Sequence, residues 1–136
     1  MKQDPAVRER KIKRILTLQR QLHRLSQWRL AELQRQEDII QDKQRDLIGA
    51  LNDDDRLQGL FVAAMAKRLS SLADDETRVA GLKKAQKEDV WAHARRVRQS
   101  ERLADLLAVT RRRDAEKKAR EDLTERVGTR PDASFR

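Results

Sequence analysis

The stretch Leu51–Arg56, LNDDDR, interrupts two long segments in which apolar residues recur at helical spacing. Asn and Asp favour turns and helix starts because their short side chains accept hydrogen bonds from backbone N–H groups. We therefore predict that the chain reverses at about residues 52–55, between a helix at about 5–51 and a longer helix at about 56–127. The predicted fold class is all-α, a long antiparallel two-helix coiled-coil hairpin that forms a single domain over residues 1–136.

The composition agrees with long helices. Charged residues make up 40% of the 136 residues and aromatic residues 3%, and there are 4 Gly and 2 Pro. This pattern is typical of coiled coils and not of sheets or α/β enzyme domains. The absence of Cys excludes disulfides and thiolate chemistry. The sequence contains no run of about 18 apolar residues, so no membrane span is predicted. No apolar signal segment is visible at the N-terminus. We therefore expect a cytoplasmic protein.

The first predicted helix starts at Asp4 and Pro5, which suit a helix cap and a first helical position. Its apolar stripe is predicted at Ile12, Ile15, Leu18, Leu22 and Leu25, and again at Leu33, Ile40, Leu47 and Leu51. The eleven-residue step from Leu22 to Leu33 predicts a stutter. Arg29 and Gln36 are expected in the seam there, where the two helices meet.

The second predicted helix carries one unbroken series in steps of three and four. Its members are Leu69, Leu72, Glu76, Val79, Lys83, Gln86, Val90, His93, Val97, Ser100, Ala104 and Leu107. The acidic run at residues 73–76 leaves open a break that would separate a short helix at 55–72. Gly128 with Pro131 close behind predicts a helix stop, and the tail, residues 128–136, is expected to be frayed.

A tight reversal after Leu51 fixes the predicted pairing of the two helices. It places Ile40 opposite Leu69, Leu33 opposite Glu76, and Ile12 opposite Val97. Everything past about Leu103 then lacks a partner in the chain, an overhang roughly 35 Å long to Val127. A polar helix cannot be held by burial, so we expect this overhang to insert into a partner.

The formal net charge of +9 predicts an anionic partner or an acidic protein surface. Basic residues cluster near both ends: Arg8, Arg10, Lys11, Lys13 and Arg14 in the first helix, and Arg111, Arg112, Arg113, Lys117 and Lys118 in the second. A solvated helix face, protein docking and nucleic-acid binding remain alternative interpretations. Acidic residues interrupt the second cluster and no aromatic side chain lies in it, whereas nucleic-acid surfaces favour a clean basic stripe with stacking rings.

The start of the second helix is the most apolar segment. Packing in the seam explains most of it, but Leu60, Phe61 and Met65 are candidates for a second protein contact. His23 and His93 are isolated, so no metal site is predicted. No phosphate loop, nucleophile motif or paired carboxylates occur. We therefore expect a non-enzyme without catalytic residues or cofactors.

The chain is small, basic and free of Cys, and its segments follow one order along the sequence. These are "RERKIKRIL", a Gln/Arg/Leu-rich arm "LQRQLHRLSQWRLAELQRQ", the reversal "LNDDDR", the apolar "LFVAAMAKRL" and the charged end "RRRDAEKKAREDLTERV". In these features the chain resembles the FliJ/YscO family of bacterial type III export stalk proteins. The resemblance covers nearly the whole chain.

This resemblance implies a coiled-coil hairpin that docks into a hexameric export ATPase and contacts the membrane protein of the export gate. Export chaperones are further partners that it implies. The ends formed by Arg8–Arg14 and Arg111–Lys118 would enter the ATPase ring, and Leu60, Phe61 and Met65 would contact the gate. The implied location is the cytoplasmic face of a flagellar or injectisome export apparatus. A basic coiled-coil nucleic-acid-binding protein is the alternative.

Overall fold

The computed structural model describes residues 4–53 and 59–129, apart from the side chains of Leu60 and Thr129. Two helices account for the described chain: α1, Pro5–Asp53, with 49 residues, and α2, Gly59–Thr129, with 71 residues. Neither described segment contains a strand. The predicted all-α hairpin with a longer second helix is confirmed.

The first helix begins where the sequence predicts. Asp4 caps it, because its side-chain Oδ1 accepts a hydrogen bond from the Ala6 N–H at 3.3 Å. The Asp4 carbonyl accepts the N–H groups of Val7 and Arg8 at 3.0 and 3.1 Å. Pro5 is the first helical residue, where its missing N–H removes no helical hydrogen bond.

The first helix ends later than predicted. Asn52 and Asp53 belong to α1, so the helix runs through the first half of the predicted turn. The remaining turn positions, 54 and 55, lie outside the described residues. The alternative break at 73–76 does not occur, because α2 is helical throughout that segment and the Thr77 hydroxyl bonds the Ala73 carbonyl. Gly128 is also still helical, whereas residues 130–136 lie outside the described part.

The chain divides into two compact units, and each contains part of both helices. The terminal unit comprises Met1–Leu18 and Arg96–Arg136, and the central unit comprises Gln19–Arg95. Neither α1 nor α2, over its described length, has a stretch long and apolar enough to cross a membrane.

Three contacts fix the pairing inside the central unit. Glu76 Oε2 accepts a hydrogen bond from Gln44 at 2.9 Å. Lys83 Nζ lies 3.5 Å from Glu37 Oε2. Gln86 donates to the carbonyl of Ser26 at 3.0 Å. Residues earlier in α1 contact residues later in α2, so the helices are antiparallel.

The predicted pairing of the two helices is wrong in detail. Glu76, expected opposite Leu33, contacts Gln44 instead. One reason is that α1 continues past Leu51 to Asp53, whereas the predicted pairing assumes that the helix ends at Leu51. Polar matching also contributes, because Glu76 and Lys83 on the inner face of α2 require polar partners when they leave water. The observed register supplies one for each.

The predicted buried face is correct along α2 and along the second half of α1. In α2 every predicted stripe position from Leu69 to Leu107 is buried or half-buried, with Leu72 and Val79 only 2% and 1% exposed. In α1 the second half of the stripe, from Leu33 to Leu51, is likewise half-buried.

The first half of the α1 stripe is predicted wrongly at every position except Ile12, which is half-buried. Ile15, Leu18, Leu22 and Leu25 are all exposed, as are the expected seam residues Arg29 and Gln36. The inner face follows a different series in steps of three and four: Glu9, Ile12, Leu16, Gln19, His23, Ser26, Leu30 and Leu33. This series joins the later one without a stutter.

Candidate docking surfaces

The terminal unit holds nearly all of the net charge. Its residues include 18 basic and 10 acidic side chains, a net +8. The central unit has 14 basic and 13 acidic side chains, a net +1. Because charges of one sign concentrated on a surface attract oppositely charged partners over several ångströms, the terminal unit is the main candidate for binding an acidic surface.

All ten predicted basic docking residues lie in the terminal unit, and each is exposed. They are Arg8, Arg10, Lys11, Lys13 and Arg14 on α1, and Arg111, Arg112, Arg113, Lys117 and Lys118 on α2. Their membership of one unit brings the two basic segments, which are about a hundred residues apart in the chain, into the same compact part of the fold.

Arg111 has a structural partner that the sequence did not indicate. Its guanidinium Nη1 donates to Glu9 Oε2 at 2.6 Å, and Lys13 Nζ lies 3.4 Å from Glu9 Oε1. Glu9 is only 9% exposed, whereas the Arg111 side chain is 60% exposed. Arg111 therefore spans from the seam to the surface.

The hydrogen bond from Arg111 lowers the pKa of Glu9 below its usual value of 4.5. Partial burial acts in the opposite direction, because it disfavours the charged carboxylate, and Lys13 lowers the pKa further. Glu9 is therefore ionised at neutral pH, and its ion pair with Arg111 links α1 to α2.

The part of α2 without a described α1 residue opposite it is shorter than predicted. Arg111 contacts Glu9, and Asp114, Ala115 and Lys118 line a surface depression together with Asp4, Pro5 and Ala6. The expectation that the overhang begins at about Leu103 is therefore wrong. From Lys118 to Thr129 the helix extends roughly 16 Å, at 1.5 Å per residue, instead of 35 Å. Every residue from Val109 to Gly128 is exposed.

An apolar groove in the terminal unit was missed by the sequence analysis. It has a volume of about 330 Å³ and is lined by Arg8, Lys11, Ile12, Ile15, Leu103 and Leu107. Leu103 is 45% exposed and Leu106, beside the groove on α2, is 63% exposed. The sequence does contain a signal: apolar residues of α1 form two competing helical series, and the seam uses only one.

The second predicted contact lies in the central unit. Phe61 is 62% exposed and its neighbour Val62 is exposed as well, whereas Met65 is half-buried. The side chain of Leu60 lies outside the described residues. Of the two described members, Phe61 therefore offers the larger exposed apolar surface.

The two tryptophans and the two histidines differ in their exposure. Trp28 and Trp91 are both exposed, and Trp28 borders a shallow groove with Gln86. His23 and His93 are half-buried on the inner faces of their helices. Residues 4–53 and 59–129 contain no group of three or more His, Asp or Glu side chains placed to hold a metal ion.

No protein-family model, curated protein or solved structure matches this chain. The functional proposal therefore depends on the chain's own residues and on the resemblance noted from its sequence. The surfaces of the terminal unit are suited to binding. Its exposed guanidinium and ammonium groups can pair with carboxylates, and its groove offers an apolar surface.

Proposed function

We propose that the chain is a non-enzymatic stalk or adaptor protein of a bacterial type III export apparatus. Its terminal unit docks with the hexameric export ATPase at the cytoplasmic face of the apparatus. Its other surfaces couple that ATPase to the membrane protein of the export gate or to export chaperones. The observation that carries the proposal is the concentration of a net +8 charge in the terminal unit.

Several basic side chains must act together in such docking. A single exposed ion pair contributes at most about 1 kcal/mol, but a patch of complementary charge also accelerates encounter and fixes orientation. Arg112, Arg113 and Lys117 are exposed on consecutive turns of α2. They are better docking candidates than Arg111, whose guanidinium is already engaged with Glu9.

The architecture supports the same proposal. A hairpin with a longer second helix is what the resemblance to the export stalk family implies. The last turns of α2, beyond Lys118, have no described α1 residue opposite them, and a partner would supply the contacts that stabilise them. Phe61, exposed in the central unit, is the candidate for contact with the gate.

Nucleic acid is the second candidate partner, favoured by the same positive charge. Glu116 and Asp114 are exposed, like the arginines beside them, and carboxylates at this spacing repel phosphates. A protein surface that carries both signs accommodates the mixture better than a uniformly negative duplex does. Binding to duplex or single-stranded DNA at about 0.1 M salt, with a steep loss as salt rises, would favour nucleic acid instead.

A pull-down from the native host, read by mass spectrometry, tests the proposal. The tagged wild-type chain is expected to recover the export ATPase. The triple variant Arg112/Arg113/Lys117→Ala should lose it. The matched variant Arg78/Lys84/Lys87→Ala removes three exposed charges from α2 in the central unit and should retain it. Failure of the folded wild-type chain to recover the ATPase would contradict the proposed function.

A further inference from the structure

The apolar groove of the terminal unit has the form of a binding site for one face of a helix. Ile12 and Leu107 are half-buried in it, and the more exposed Ile15 and Leu103 stand on its two sides, one from each helix. Leu18 and Leu106, 56% and 63% exposed, lie one turn further along their helices. A groove between two helices receives large side chains from a third helix more readily than it receives a flat surface.

The residues that border the groove are basic or neutral. Arg8 and Lys11 line it, and their aliphatic stems extend the apolar surface while their charged ends reach water. On α2, the same helical face as Leu103 presents Arg96, Gln99 and Thr110 within two turns. None of these side chains is acidic, and the carboxylate of Glu9 is engaged with Arg111.

We propose that this groove binds an amphipathic helix of a partner protein, with leucine-like residues on one face and acidic residues beside them. This interaction goes beyond docking on the ATPase through Arg112, Arg113 and Lys117, and it does not require that docking. Arg8 and Lys11 pair with the partner's carboxylates, while Ile15, Leu103 and Leu106 pack against its apolar face. Both contributions are needed, because neither the charges nor the apolar side chains are deeply enclosed.

Two other occupants fit the groove less well. A second copy of this chain would bring a unit of net +8 against another of the same charge. The chain's own last residues, 130–136, contain two arginines and one aspartate, which is the wrong balance for a basic rim. Charge complementarity therefore points to an acidic helix from another protein.

A fluorescently labelled synthetic peptide tests this inference on the full-length chain. The probe has about 18 residues, roughly five helical turns, with leucines in steps of three and four and glutamates and alanines elsewhere. One control peptide replaces the leucines by alanine, and another replaces the glutamates by lysine. Fluorescence anisotropy is expected to show saturable binding of the probe and no binding of either control.

Variants of the protein locate the binding. Leu103→Ser and Leu106→Ser should each weaken probe binding about tenfold, since burial of one leucine side chain contributes that much. Leu82→Ser changes a leucine of α2 in the central unit that is similarly exposed, 47%, and should leave binding unchanged. Lys11→Glu should weaken binding of the acidic probe. Circular dichroism verifies that each variant remains helical.

Three results would overturn the inference: no binding of the probe, equal binding by wild type and both leucine variants, or binding of either control peptide. A membrane surface is tested in parallel with vesicles that contain anionic lipid. If vesicles bind through Leu103 and Leu106 and the probe does not, the groove is a lipid-binding surface and the proposal is wrong. The ATPase is absent from this assay, so failure here leaves the docking proposal untouched, and the converse also holds.

Discussion

Glu9 occupies a seam position that an apolar side chain fills in most coiled coils. Its carboxylate is retained there because Arg111 and Lys13 both approach it. The two basic partners are largely exposed, so they keep much of their hydration while the carboxylate loses most of its own. A buried charge with two such partners specifies which residues meet, even when it adds little net stability.

The lowered pKa of Glu9 predicts a pH-dependent stability. A carboxyl group with a folded-state pKa below its unfolded value stabilises the fold above the unfolded value. That contribution is lost as the pH falls through the folded pKa. The free energy of unfolding of the wild type should therefore fall below pH 4.5, and its advantage over Glu9→Gln should shrink. Urea unfolding at about pH 7 and about pH 3 checks this, and a pH-independent difference would contradict it.

Leu72 and Val79 are the most enclosed apolar side chains described. Leu72→Ala should lower the free energy of unfolding by about 2 to 3 kcal/mol, through lost burial and the cavity left behind. Leu82→Ala, at a position 47% exposed, should cost less than about 1 kcal/mol. Urea titrations followed by circular dichroism compare the two variants. Similar losses would show that the inner face of α2 is not the one assigned.

Along α1, two helical series compete for the seam. The more apolar one, from Ile15 to Leu25, remains exposed, and the series that contains Gln19, His23 and Ser26 is buried or half-buried instead. The polar inner face of α2 explains part of this choice, because Lys83 and Glu76 each have a polar partner in the observed register. Apolar periodicity alone does not contain that information.

A charge exchange tests the register. Glu37→Lys and Lys83→Glu should each destabilise the hairpin, by roughly 2 kcal/mol, because each places like charges at a seam position whose side chains are less than a fifth exposed. The double exchange should recover most of the loss. Thermal unfolding of the four proteins gives the coupling energy. Additive losses would mean that Glu37 and Lys83 are not in contact.

The last turns of α2 are expected to be the least stable part of the described helix. All residues from Val109 to Gly128 are exposed, and those beyond Lys118 have no described α1 residue opposite them. Helical propensity alone gives marginal stability. Amide hydrogen exchange, read by mass spectrometry, should be fast in the segment 119–128 and slow around Val79. Uniform protection along α2 would contradict this prediction.

The sequence predicts an element well where only one apolar series, or one backbone conformation, is compatible with its residues. The α2 stripe from Leu69 to Leu107 is predicted correctly, since one series is available there. The pairing of the helices is not, because Asn52 and Asp53 are compatible with both a turn and a helix end. The basic residues proposed for docking can be predicted from the sequence, since charge alone identifies them. The Glu9–Arg111 contact and the apolar groove cannot, because both depend on the register.

The molecule as a whole divides its charge unevenly between its two units. The central unit is nearly neutral, and the terminal unit carries a net +8. Self-repulsion within the terminal unit should weaken its folding at low ionic strength, and an acidic partner would relieve that repulsion. The uneven distribution suits a protein whose electrostatic binding is concentrated in its terminal unit.

The most direct measurement of the central claim is the affinity of the full-length chain for the purified hexameric export ATPase of the same host. The wild type should bind saturably, with an affinity that falls as salt is added. Arg112/Arg113/Lys117→Ala should weaken binding about tenfold or more, and Arg78/Lys84/Lys87→Ala should not. Equal affinities of the three proteins, or no binding by the folded wild type, would contradict the proposed docking.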